Sequence, residues 1–415
     1  MRHFYQFAFV IAFLFGSVQS FSSTLMVDDS VTMGGGYAND IYYSFENGEV
    51  HSVERTNWEI GFYASAWSAG IITNGGKGVE LKLYPSSDTS AWETIDTTGF
   101  SGWPFLYNST EDWEEGAFNR HSNGHPDYGW GVYNTITHDV VGDSLYIVKY
   151  MVGTENIYKK LWITKKVSIQ NTYYFKYANL DGSDEVIEIL NCGDYTDKNF
   201  VYYSMQNQEV LDREPNSDTW DILFTKYMGI NNGVPYPVTG ALNNIDIPAN
   251  RFDEVEPNFE DWMAAPMDST KSPIGYDWKT FNMTTFSYDV HDSVAFFVMN
   301  FQKDVYKLVF NVFDYTVGKI VFSKSMVHAS DIGEEIAEKS FQLFPNPASD
   351  KVQVSLEGDD WKELIIADLS GREVVRMPLG NQSAVSVPLG QLHSGVYLVT
   401  LQSGVSKAIQ KLIIQ

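Results

Sequence analysis

The chain has 415 residues and carries 53 Asp and Glu against 28 Lys and Arg, a formal net charge of −25. At 44% hydrophobic and 20% charged residues it is a folding chain, long enough for about two to four domains of ordinary size. An acidic balance of this size argues against a nucleic-acid partner, which needs clustered Lys and Arg, and against docking on anionic membrane surfaces. Aromatic residues make up 15% of the chain, a bias toward sheet.

From the N-terminus, Met1-Arg2-His3 is followed by a short apolar run, Phe4 to Gly16, and by small residues at Val18 and Ser20. This is the pattern of a secretory signal peptide over residues 1–20, too short to cross a bilayer, with cleavage expected after Ser20. The single cysteine, Cys192, permits no intramolecular disulfide, so an exported chain must manage without one. No later segment has the length and apolarity of a membrane span.

Beyond the signal nearly every segment reads as strand plus turn. Tyr42-Tyr43-Ser44-Phe45 runs into Glu46-Asn47-Gly48, and Asn-Gly is the strongest short hairpin signal. Trp58, Ile60 and Phe62 alternate onto one strand face, with Glu59 on the other. Further strands are expected over 145–150, 161–167 and 173–177. No long amphipathic helix is present.

Four motifs then recur in the same order. Tyr42-Tyr43-Ser44 returns as Tyr202-Tyr203-Ser204, and Trp58-Glu59-Ile60 as Trp220-Asp221-Ile222. Asp127-Tyr128-Gly129-Trp130 returns as Gly275-Tyr276-Asp277-Trp278, and Asp143-Ser144 with Tyr158-Lys159-Lys160-Leu161 returns as Asp292-Ser293 with Tyr306-Lys307-Leu308. The fold class expected is therefore all-β: two related β-sheet units in tandem, 26–195 and 196–327. An acidic linker, 328–340, leads to a small C-terminal Ig-like β-sandwich, 341–415.

Two family resemblances accompany this reading. The segments "LFPNPASD", "IADLSGREV", "LHSGVYLVTL" and "QKLIIQ" resemble the type A C-terminal sorting domain of the type IX secretion system. That resemblance implies the type IX secretion machinery as a partner and passage across the outer membrane of a Gram-negative bacterium. Release or attachment at the cell surface follows. The plainer alternative is an Ig-like adhesion module. In the middle of the chain, "YYSFENGEV", "NWEIGFY" and "IITNGG", with "VYYSMQNQEV" and "TWDILFTKYM" in the second unit, resemble the HmuY-like family of secreted haem-binding proteins. The resemblance implies haem, or another small flat apolar ligand, held by axial side chains. No axial residue is carried over by it, and the doubling of the unit departs from the family's usual single unit.

Ferric haem takes His or Met donors within aromatic walls. The densest candidate stretch is Arg120 to Trp130, where His121 and His125 lie four apart and Tyr128 and Trp130 flank them. Gly124 and Pro126 forbid a regular helix, so these are loop residues, whose plain alternative is a solvated turn. His138 is a further donor, but its counterpart in the second unit is Ser287, so either one unit alone binds or His138 is structural. A second functional class is a glycan- or protein-binding surface using Trp67, Trp92, Trp103 and Trp113. A third is a polysaccharide-active hydrolase using Glu59 and Asp221, which read more simply as acceptors for turn amides. No catalytic motif is present, and no metal-ligand spacing is found.

Overall fold

The structure is a computed structural model describing residues 25–85, 89–330, 341–356, 361–368, 372–380, 384–403 and 407–415. The expected signal peptide and most of the acidic linker lie outside these residues. The chain divides into two compact units, Met1–Ala329 and Ser330–Gln415. Among the described residues both are all-β, with antiparallel strand pairing and helical geometry confined to short 3₁₀ turns.

The larger unit contains two cores, each a pair of sheets closed on aromatic and branched side chains. In the first, a sheet built on Tyr146–Val152, Glu155–Val167, Thr172–Asn179 and Val186–Asn191 faces a four-stranded sheet containing Ile60–Tyr63 and Phe200–Ser204. Ile60, Phe62, Val148, Ile163, Phe175 and Tyr203 fill the space between them. In the second, Val27–Thr32, Lys319–His328, Val305–Asp314, Ala295–Met299 and Ala249–Phe252 form one sheet. It faces Val234–Asn243, Ile222–Asn231, Asn39–Ser44 and Gly48–Glu54 across Tyr43, Phe224, Trp278, Phe310 and Phe322. The alternation expected over Trp58-Glu59-Ile60 holds for Ile60 and Phe62, which are buried in the first core, but not for Trp58, which precedes the strand and packs with Ile72, Phe200 and Tyr202 on its other face.

The division expected at 195/196 coincides with neither core. The chain's first three strands, Val27–Thr32, Asn39–Ser44 and Gly48–Glu54, complete the second core by pairing with Lys319–His328 and Ile222–Asn231. Their counterparts Val186–Asn191, Phe200–Ser204 and Glu209–Leu211 complete the first, pairing with Thr172–Asn179 and Ile60–Tyr63. The first core is thus continuous in sequence, and the second is assembled from both sides of it. In this arrangement Ile60 opposes Tyr203 and Ile222 opposes Tyr43, and this register turns both tyrosines inward.

One hydrogen-bond pattern serves both cores. Tyr43 donates its hydroxyl to Asp29 at 2.6 Å, and Tyr203 donates to Glu188 at 2.7 Å. Trp58 meets Tyr202 edge-on at 4.8 Å, and Trp220 meets Tyr42 edge-on at 5.0 Å. The side-chain amide of Asn74 donates to the Trp58 carbonyl, and that of Asn244 to the Trp220 carbonyl.

In the C-terminal unit a three-stranded sheet, Leu343–Phe344, Lys351–Ser355 and Ala384–Pro388, stands with a four-stranded one, Glu373–Pro378, Glu363–Asp368, Gly395–Gln402 and Lys407–Ile414. Val352, Val354, Leu364, Ile366, Val399 and Leu401 are buried between them, as the sequence alternation requires. Among the described residues no helix is long and apolar enough to cross a membrane.

The twin tyrosine–carboxylate bonds give a direct check. Tyr43→Phe and Tyr203→Phe are each expected to lower the unfolding free energy by about 2 kcal/mol in urea titrations, the worth of one bond to a charged acceptor, leaving the fold intact.

Candidate functional site

The histidine loop leaves the 3₁₀ turn Ala117–Asn119 and returns through strand Gly131–Tyr133. Asp127 fixes its shape: the carboxylate accepts from the Asn123 backbone at 2.8 Å, the Asn123 side chain at 3.0 Å and the Gly129 backbone at 2.6 Å. Although its partial burial opposes ionisation, these bonds hold the Asp127 carboxyl below the usual range. Gly129 sits at φ +84°, and a Cβ there would meet the Phe118 carbonyl at 2.7 Å, so glycine is required.

The structure separates the five residues expected here. His121 is half-buried, its Nε2 3.4 Å from the Tyr146 hydroxyl and its Nδ1 buried without a partner. Burial pushes its pKa down, so the imidazole stays neutral. His125 and His138 are exposed and share Tyr133, with ring centroids 5.5 Å and 6.1 Å from it. His138 takes a positive φ of 61°, and its Nδ1 lies 2.7 Å from the Tyr133 hydroxyl. Tyr128 is half-buried, 6.5 Å from His125. Trp130 is a correction: it is fully buried, donates its indole N–H to the Ala69 carbonyl at 2.8 Å, and walls no open site. Tyr133, absent from the residues expected at this site, is the one that joins the two exposed histidines.

The surface tryptophans need a similar correction. Trp67 is 95% exposed, but Trp92 and Trp103 are buried in a cluster with Leu145 and Ile147, because Lys160 and Lys176 lie over the Trp92 ring and cover it. Trp113 is half-buried and donates to the Asn243 carbonyl at 2.8 Å. It borders an open cleft of about 510 Å³ where the two cores meet. Tyr63 also lines this cleft, and Asp112, Glu114, Asp246 and Asp268 make its rim acidic.

Glu59 and Asp221 are structural. Glu59 is fully buried, ion-paired with Lys77, and accepts from the Met205 amide at 2.6 Å and the Gln206 amide at 3.3 Å. Asp221 accepts from the Phe45 amide at 2.7 Å. Each carboxylate secures the turn after the other segment's Tyr-Tyr-Ser strand. Cys192 is buried, and burial pushes its thiol up to about 12, far from a nucleophile's range. No group of His, Cys, Asp and Glu among the described residues is arranged to hold a metal ion.

Residues 342–415 match the secretion system C-terminal sorting domain family. No curated protein matches the chain. The sorting domain defines a secreted protein of a Gram-negative bacterium, addressed to the type IX machinery and delivered to the outer cell surface or the medium.

Burial raises the Asp221 pKa from 3.8 to about 6. The stability this confers is complete below pH 3.8 and is lost as pH rises through 6. Asp221→Asn, which keeps an acceptor for Phe45 without the charge, is expected to flatten the dependence of unfolding free energy on pH between 4 and 7 and to be the more stable chain at pH 8.

Proposed function

We propose that this exported protein captures a small ligand outside the cell, with haem the ligand class its donors suit best. The observation that carries the reading is the exposed row His125–Tyr133–His138, since imidazole and phenolate are donors that ferric haem accepts. His125 and His138, from the segments before and after the strand Gly131–Tyr133, meet at Tyr133, and Tyr128 adds a flanking ring. The donor set fits haem. The resemblance of 26–327 to HmuY-like proteins supports the same ligand. Haemin titration of the mature chain is expected to give a shifted Soret band. The shift is lost in the His125→Ala/His138→Ala double variant and kept in His121→Ala, whose imidazole faces Tyr146. An unshifted band with the unaltered chain overturns the proposal.

A second reading is favoured by the cleft, where Tyr63 and Trp113 stand beside carboxylates in the way sugar-binding surfaces combine stacking with hydrogen bonding. It gives retention on immobilised glycans that Trp113→Ala abolishes, with no Soret change.

A further inference from the structure

Behind the cleft, between the two cores, lies an inner cavity of about 70 Å³. That is about twice the ~30 Å³ share of one water in the liquid. One wall carries Trp58, Tyr202 and Arg213, and the other carries Asp40, Thr225, Tyr227 and Lys271. Trp113 and Lys271 border both the cavity and the open cleft and stand between them.

The wall is unusual in its hydrogen-bond inventory. The Trp58 indole N–H, the Arg213 Nε–H and the Tyr227 hydroxyl are buried without partners. Lys271 is only 6% exposed, and the contact described for its ammonium is the face of Trp113, 4.9 Å away. All four are donors, and two are cationic. The carboxylate and amide oxygens described at its lining are engaged. Asp40 gives one oxygen to Arg213 Nη2 at 2.8 Å and the other to the Thr225 hydroxyl at 2.6 Å. The side-chain oxygen of Asn74 accepts from Lys77, and that of Asn108 from Thr73 and Ala117. Tyr202 donates to Glu214, a buried carboxylate that also accepts from Asn199.

Water fills such a space poorly, since each molecule must place two protons of its own, and free acceptors are scarce. An anion accepts without donating and compensates the buried charges. We infer that the cavity binds a small oxyanion, held by Trp58, Arg213, Tyr227 and Lys271. Burial drives the Lys271 pKa down to about 7, against the pull of the Asp112 and Glu115 carboxylates, and a bound anion would raise it again. Arg213 is already paired with Asp40, so the charge left for a bound anion is that of the Lys271 ammonium; the acidic rim slows access at low ionic strength. The inference is independent of the haem reading, which concerns a different face.

The test uses the mature chain dialysed free of oxyanions, with calorimetric titration and thermal unfolding at constant ionic strength. Sulfate, phosphate and acetate are the probes and chloride is the control. At least one oxyanion is expected to bind and to raise Tm with the logarithm of its concentration above Kd. A response confined to acetate identifies an organic carboxylate as the occupant; a response to sulfate or phosphate identifies an inorganic ion. Lys271→Met and Tyr227→Phe are each expected to weaken that binding at least tenfold, and Lys271→Met without oxyanion unfolds at the same temperature or higher. Should Lys271→Met fail to fold, Tyr227→Phe, which removes one hydroxyl, decides alone. Absence of oxyanion binding, an equal effect of chloride, or undiminished binding by the variants overturns the inference.

Discussion

The larger unit depends on strands that belong, by sequence, to the other half. Val27–Thr32 pairs along its whole length with Lys319–Lys324, and Asn39–Ser44 lies against Ile222–Phe224. Without these pairings the second core has an open sheet edge and a missing tyrosine. With them, Trp58, Arg213, Thr225 and Lys271 are brought from four distant segments to one seam. The cleft and the inner cavity exist because the two cores share this seam.

Much of this was legible in the sequence. Alternation placed Ile60 and Phe62 inside, and the recurrence of Trp-acid-Ile revealed matching elements, because a tryptophan and a buried acceptor beside a strand impose the same local geometry twice. The sorting domain was legible because its turn and strand motifs are specific in combination. Which core each strand completes was not legible, since alternation gives the face a residue takes but not the neighbour it pairs with. Trp130 shows a related limit: in an aromatic-rich chain the same residue type fills cores and lines surfaces, and local sequence does not separate the two. The exposed histidines could be listed from the sequence, but the role of Tyr133 depends on how the loop returns. The cavity left no local signal because its donors are scattered from Trp58 to Lys271.

A chain exported without disulfides must draw its rigidity from other sources. Here buried carboxylates do part of this work. Glu59 and Asp221 each accept turn amides from a segment more than a hundred residues away, and Glu188 and Asp29 each accept a core tyrosine. Such bonds are strong when satisfied and costly when broken, so they specify one pairing over its alternatives. The edge-to-face rings beside them add contact area to the same seams.

The discontinuity of the second core also sets an order of assembly. The first core, running from Ile60 to Leu211, can close as soon as its own residues are available. The leading strands cannot, for their partners reach to His328, near the end of the unit. Until those residues are made, Val27–Thr32 lacks its partner strand and Asn39–Ser44 is paired on one side alone, with Gly48–Glu54. The sheet that opens the chain is therefore the one that closes last.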